Sequence, residues 1–264
     1  MMLASARVLL EGLIDYAGLY PPACLDMSAT VQNYADYRQS EWSWALGRLV
    51  VPAPRLKELA ANAPPDVRCP LAVLLGENPD EEAQKALAFC EHDGRFTVDC
   101  FETKTLPTDI LPRPTYFETP NPTDAIEQGF YPKIRMGGIT PDLIPHPQNV
   151  ARFLMSIGAS PFKATAGLHH PFCDEHPLTY EPNPPRSWMH GYVNLAVAVM
   201  LSDEAEMIEA LTADRSDFQF HEDKMSWRDR AFDLETIRAL RRRWTSFGSC
   251  SFTEPTLELL EHLK

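Results

Sequence analysis

Short strand-like runs alternate along this chain with stretches of helical periodicity, and 24 prolines punctuate the joints between them. That rhythm builds a parallel sheet, because a parallel strand pair needs a long crossover and a helix is the usual one. Eight strands are expected: Gly47–Ala53, Pro70–Leu75, Phe96–Thr103, Thr115–Thr119, Tyr131–Gly137, Phe162–Gly167, Asp217–Glu222 and Ser246–Phe252. Helices are expected at Pro54–Asn62, Asp80–Glu91, Asp124–Gln128, Pro147–Ile157, Trp188–Leu211 with a break near Ser202, Asp233–Trp244 and Thr253–Leu263. Asp233 reads as an N-cap, and Arg241, Arg242 and Arg243 complement the dipole at the other end of that helix. The link after the third strand is Pro-rich and shows no helical pattern.

Eight β/α steps fit a closed (β/α)8 barrel of the α/β class, an architecture that runs to about 250 residues as one unit. The 264 residues are read as one barrel domain, 1–264, with residues 1–40 forming an N-terminal cap before the first strand. An open doubly wound sheet is the alternative. No Gly-x-Gly-x-x-Gly follows a strand and no Gly-x-x-x-x-Gly-Lys-Ser/Thr occurs, so neither a dinucleotide fold nor a nucleotide P-loop has support.

Composition narrows the function classes. The net charge of −13 and a pI of about 5.0 argue against nucleic acid as a partner, which needs a basic face. An acidic shell can still enclose a locally basic pocket. No apolar run approaches the length of a membrane span, and the N-terminus lacks a secretory pattern, so a cytoplasmic protein without a membrane partner is expected. The six cysteines, Cys24, Cys69, Cys90, Cys100, Cys173 and Cys250, form no Cys-x-x-Cys pair and read as reduced thiols. Self-association into a homo-oligomer is compatible with the chain.

Strand alternation nominates the site. In Lys133-Ile134-Arg135-Met136 the apolar residues take one face and both cations the other. Lys163 and Thr165 oppose Phe162, Ala164 and Ala166; Glu118 opposes Phe117; Gln219 shares a face with His221, and Ser249 with Ser251. In a barrel one face looks inward, where unpaired polar groups are costly. Lys133, Arg135 and Lys163 are therefore expected together near the C-terminal mouth, where barrel enzymes carry their sites. There they would form a pocket for a small anionic substrate, a carboxylate or phosphate. Thr165, His221, Ser249 and Ser251 are expected to help bind it. A structural ion pair of Glu118 with Lys133 or Arg135 is the plainer reading of the same residues.

The segment after Gly167 concentrates histidine. His169, His170, His176 and His190 are half of the eight in the chain. His169 and His170 are expected to act in proton transfer, while His176 and Cys173 read as an ordinary surface loop. The spacing matches no standard zinc motif, so no tightly bound zinc and no cofactor are expected. A divalent metal held by His169, His170 and His190 in a hydrolase or lyase is the alternative, and a non-catalytic ligand-binding or assembly protein is a third reading. Gly137-Gly138 ends the fifth expected strand and Gly248 lies in the eighth; glycine at such places lets a ligand approach the backbone or simply makes a turn. Asp15-Tyr16-Ala17-Gly18-Leu19-Tyr20-Pro21-Pro22 carries no assigned chemistry.

Phe162-Lys163-Ala164-Thr165-Ala166-Gly167 resembles the strand-six motif of deoxyribose-phosphate aldolases, and several class I aldolases likewise carry their lysine on strand six. The chain as a whole is similar to a bacterial family of barrel proteins, a likeness that implies no particular activity. The aldolase resemblance covers six residues. It implies a Schiff-base lyase acting on a small oxo acid or sugar derivative, with Lys163 as the nucleophile, Lys133 depressing its pKa by like-charge repulsion, and Glu118 or His169 moving protons. On that reading Lys163→Met folds and loses turnover.

Overall fold

The computed structural model describes residues 2–263. Eight parallel strands close into a barrel. They are β1 (Ile14–Tyr16), β2 (Leu46–Pro52), β3 (Cys69–Leu74), β4 (Phe96–Thr103), β5 (Thr115–Phe117), β6 (Tyr131–Arg135), β7 (Phe162–Thr165) and, after five further strands outside the barrel, β13 (Trp244–Ser249). β1 closes the ring by pairing in parallel with both β2 and β13. The (β/α)8 architecture expected from the rhythm of the chain is the one observed.

Seven of the eight expected strands lie in the barrel; one does not. Asp217–Glu222 contains β10 (Phe218–Phe220), which pairs antiparallel with β11 (Lys224–Trp227), itself paired with β12 (Arg230–Asp233) in a separate three-stranded sheet. Phe218 and Phe220 alternate with Gln219 as in a barrel strand, but a complementary strand only a short turn away captures them locally. The missing barrel strand is β1, inside the segment expected as a cap. It is three residues long with an aspartate at its centre, so no apolar run marks it. Consequently Phe162–Gly167 is the seventh barrel strand, and Tyr131–Arg135 is the sixth.

The ten α-helices among the described residues are α1 (Ala4–Leu10), α2 (Met27–Gln39), α3 (Leu56–Asn62), α4 (Pro79–Asp93), α5 (Pro122–Glu127), α6 (Pro147–Ile157), α7 (Tyr192–Met200), α8 (Glu204–Leu211), α9 (Leu234–Arg243) and α10 (Thr253–His262). Eight of the ten follow expected spans, while α1 and α2 lie in the segment expected only as a cap. Among the described residues none is long and apolar enough to cross a membrane. The break expected near Ser202 separates α7 from α8, where Asp203 accepts from Glu206 N–H. Asp233 caps α9 by accepting from Thr236 N–H at 2.8 Å. Trp188 and Met189, expected in a helix, belong instead to β9 (Arg186–Met189), which forms a hairpin with β8 (Asp174–Pro177).

Alternation divides the barrel residues between two environments. Leu49, Val51, Leu71, Val73, Phe101, Phe162, Ala164 and Phe247 face the helices and join the main apolar core. The interior holds a small apolar cluster of Ala17, Val50, Ala72, Cys100 and Tyr116. The rest of the lumen is polar: Asp15, Glu102, Lys133, Lys163 and Ser246 are all buried. Above it, the backbones leaving β6 and β7 cross at Gly137 and Gly167. A Cβ on Gly167, whose φ is +74°, would lie 2.7 Å from the Gly137 Cα. Glycine here serves chain packing, and the crossing fixes the His169 segment beside Gly138–Leu143.

Candidate active site at the barrel mouth

A cavity of about 510 Å³ opens over the C-terminal ends of the strands. Beneath and beside it, charges of alternating sign form a ladder. At its foot Lys163 Nζ lies 2.5 Å from Asp15 Oδ2 and 2.5 Å from Glu102 Oε1. Ser246 Oγ donates to the same Asp15 oxygen at 2.8 Å, and Arg48 N–H donates to Asp15 Oδ1 at 2.7 Å. The other oxygen of Glu102 lies 2.8 Å from Lys133 Nζ. Lys133 continues to Glu118 Oε2 at 3.2 Å, a close ion contact without hydrogen-bond alignment. Glu118 Oε1 then meets Arg135 Nε and Lys104 Nζ, each at 3.2 Å.

The ladder sets its own protonation. Burial pulls Lys163 toward its neutral form, but Asp15 and Glu102 outweigh it and hold its pKa well above the ordinary lysine range. Burial pushes the Glu102 carboxyl up, while Lys133 and Lys163 more than reverse that and bring it to about 2. Glu118 is likewise raised by burial and lowered below its usual range by Lys133, Arg135 and Lys104. Lys163 is therefore a charged, doubly paired ammonium. The depression of its pKa expected from Lys133 does not occur, because Glu102 stands between the two lysines.

The structure gathers many of the nominated residues. Lys133, Arg135, Glu118, Thr165 and His169 all line the cavity. Lys163 does not; it is fully buried under it. His169 is buried with Nδ1 3.1 Å from Ser249 Oγ, leaving Nε2 as the ring nitrogen available to a ligand. Burial, helped by His170 and His176, lowers its pKa to about 4, so the imidazole is neutral near pH 7.

Other nominations are corrected. His221 sits in the β10–β11 turn, where its carbonyl accepts from Ser5 Oγ at 2.6 Å. Ser5 belongs to α1, which enters the barrel at the N-terminal end of β1, so His221 is remote from the mouth. Ser251 does not line the cavity; its Oγ accepts from Glu254 N–H in the first turn of α10. Ser249 faces the same way as Phe247 and holds His169, while Gly248 and Cys250 reach the cavity. His170 is turned to Glu258 at 2.8 Å and stacks on His176 with ring centroids 3.4 Å apart. His190 Nε2 lies 2.7 Å from the Pro145 carbonyl oxygen. His169, His170 and His190 thus have separate engagements, and among the described residues no three His, Cys, Asp or Glu side chains gather as metal ligands.

Asp15, Glu102, Lys104 and Tyr20 join the ladder or line the cavity without having been nominated from the sequence. Tyr20 lines the cavity, yet its hydroxyl is buried and has no hydrogen-bond partner. Burial, then the Glu102 charge, pushes its pKa well up, so the phenol keeps its proton. The cavity thus offers cationic nitrogens on Arg135 and Lys104, a neutral imidazole and the Lys133 side chain in the wall. That set can hold an anion, move protons and engage a carbonyl carbon.

No family model matches the chain, and no curated protein does. The likeness to class I aldolases therefore rests on Phe162–Gly167 alone.

Proposed function

We propose that this mouth is the active site of a lyase acting on a small anionic oxo compound, with Lys133 rather than Lys163 as the Schiff-base nucleophile. The position of Lys133 carries the reading: it lies on the sixth barrel strand and lines the cavity, whereas Lys163, on the seventh, is sealed beneath it. With β1 counted, Lys133 is the lysine on the sixth strand, where class I aldolases carry theirs, although the six-residue likeness itself lies around Lys163 on the seventh.

The ion ladder supports the same assignment. If Lys133 becomes neutral, Glu102 keeps Lys163, and Glu118 keeps Arg135 and Lys104. Neither buried carboxylate is orphaned, so removal of that proton avoids the penalty of an uncompensated charge. Neutral Lys163 would leave Asp15 with the more distant Arg48, whose Nη1 lies 3.5 Å away, as its remaining cation. In the proposed step the Lys133 amine adds to the substrate carbonyl carbon. The carbonyl oxygen then leaves as water, taking one proton from nitrogen and one from Glu118, which first receives it from the Lys133 ammonium 3.2 Å away, and an iminium remains. A neighbouring C–C bond breaks with its electron pair drawn toward that nitrogen. Arg135 and Lys104 hold the anionic group, and His169 and Glu118 face the reacting atoms as proton carriers.

Borohydride reduction in the presence of pyruvate, followed by peptide mass analysis, tests this. The expected adduct is on the peptide carrying Lys133. An adduct on Lys163 would return the role to that residue, and no adduct with any small oxo acid would remove Schiff-base chemistry.

A further inference from the structure

The mouth is chemically two-sided. In an eight-membered ring β2 stands opposite β6. Most of the charged residues come from β4 to β6 and their exits: Glu102, Lys104, Glu118, Lys133 and Arg135, with Glu77 alone at the exit of β3. The facing wall comes from β1 to β3 and their exits, with Ala17, Pro21, Val50, Leu74 and Leu75. Ile139 and Leu143, from the segment after β6, add apolar cover and are themselves 39% and 41% exposed. The charged side chain of the β1–β3 wall is Glu77, while the Tyr20 hydroxyl lies buried behind it.

A polyhydroxylated sugar phosphate suits this cavity poorly. Each of its hydroxyls needs a partner on desolvation, and the β1–β3 side supplies the Glu77 carboxylate, which would repel a phosphate, and otherwise apolar side chains. An oxo acid with an alkyl or aryl substituent fits both halves: its carboxylate meets Arg135 and Lys104, and its apolar body lies on Val50, Leu74 and Leu75. We infer that the substrate class is an oxo acid bearing an apolar chain of several carbons, not a sugar derivative. The inference rests on the proposed function for the carbonyl but on the two-sided wall for the chain.

Calorimetric binding of straight-chain carboxylates from acetate to octanoate separates the two ideas, because these probes carry no carbonyl and form no Schiff base. The dissociation constant is expected to fall about three- to fourfold per added methylene until the cavity is filled. Arg135→Gln should weaken every member about ten- to hundredfold, as loss of hydrogen bonds to a charged group does. Leu143→Asn, at a half-exposed position that carries little folding burden, should flatten the gain per methylene. A ladder flat in the unaltered protein, a ladder unmoved by Leu143→Asn, or tighter binding of glyceraldehyde 3-phosphate than of hexanoate would overturn the inference. Failure of borohydride trapping alongside an intact ladder would sink the Lys133 chemistry and leave the apolar-chain specificity standing.

Discussion

Lys133 and Lys163 face each other in register across β6 and β7 and share one carboxylate, Glu102, which gives each of them one oxygen. The shared carboxylate separates their roles. Lys163 closes a buried triad with Asp15 and Glu102, while Lys133 stands at the cavity wall with a second carboxylate in reserve.

That division predicts opposite phenotypes for two substitutions of the same type. Lys163→Met leaves Asp15 and Glu102 buried with reduced compensation, and breaking a buried ion pair in this way costs about 3–5 kcal/mol. Lys133→Met removes a partly compensated charge and should cost about 1–2 kcal/mol, within the ordinary range for single substitutions. Urea unfolding measures both. Trapping by borohydride should vanish in Lys133→Met and persist in whatever Lys163→Met protein folds. If Lys163→Met is too unstable to purify, the double variant Glu102→Gln/Lys163→Met should lose less than the sum of its parts, because the two residues are in direct contact. Wild-type stability for Lys163→Met would refute the structural role assigned here.

The pH profile of stability follows from three groups. Glu102 has a folded pKa of about 2 against an ordinary 4.5. Its contribution is present above 4.5 and is lost as pH falls through 2, about 3 kcal/mol in all. His169 is held neutral, with a pKa of about 4 against 6.5. Its contribution is present above 6.5 and is lost as pH falls through 4. Lys163 is raised above 10.5, so its contribution is complete below 10.5 and lost only as pH rises through the higher folded value. Unfolding free energy should therefore hold level from 6.5 up to 10.5 with respect to these groups and decline in two overlapping acid steps. His169→Asn should shrink the step between 6.5 and 4, to which His176, also brought to about 4 mainly by burial, contributes, and leave the lower one; an undiminished upper step in a denaturant titration of the variant would contradict the assignment.

Much of this was legible from period-two alternation. Lys133 with Arg135, and Lys163 with Thr165, announce a polar inward face because their neighbours are apolar. What alternation could not give was depth: Lys163 and Thr165 share a face, yet one is sealed and the other lines the cavity. Glu102 was hidden by an irregularity. The pairing of β3 with β4 slips between Val98 and Cys100, so the alternation that begins at Val98 does not carry through to Glu102. Asp15 was hidden by brevity, since three residues around a charge leave no periodic signal. Counting β10 as a barrel strand brought His221 to the mouth, an error of partner choice that local pattern cannot detect. Tyr20 had no signal at all, because its importance lies in the hydrogen bond it does not make.

The crossing of Gly137 and Gly167 gives a backbone prediction. Gly167→Ala must hold an L side chain at φ +74° and set its Cβ 2.7 Å from the Gly137 Cα. The left-handed conformation alone costs about 1–2 kcal/mol, and backbone cannot yield as a side-chain tip can. Stability should fall by more than about 2 kcal/mol once the clash is added. Binding of short carboxylates should weaken as well, since the same crossing positions the His169 segment. Thermal unfolding and calorimetry on one preparation check both effects, and an unperturbed melting temperature would show that the crossing is looser than described.

Tyr20→Phe reads the unpaired hydroxyl directly. In most proteins loss of a tyrosine hydroxyl from a buried position lowers stability, because a hydrogen bond goes with it. Here the hydroxyl is buried with no partner, so its removal relieves a desolvation penalty of about 1–3 kcal/mol. Tyr20→Phe should therefore be at least as stable as the parent and unfold at equal or higher urea concentration. Because the hydroxyl has no surface open to the cavity, pyruvate and propionate should each bind Tyr20→Phe and the parent alike. Lower stability in urea unfolding would mean that the hydroxyl has a structural partner.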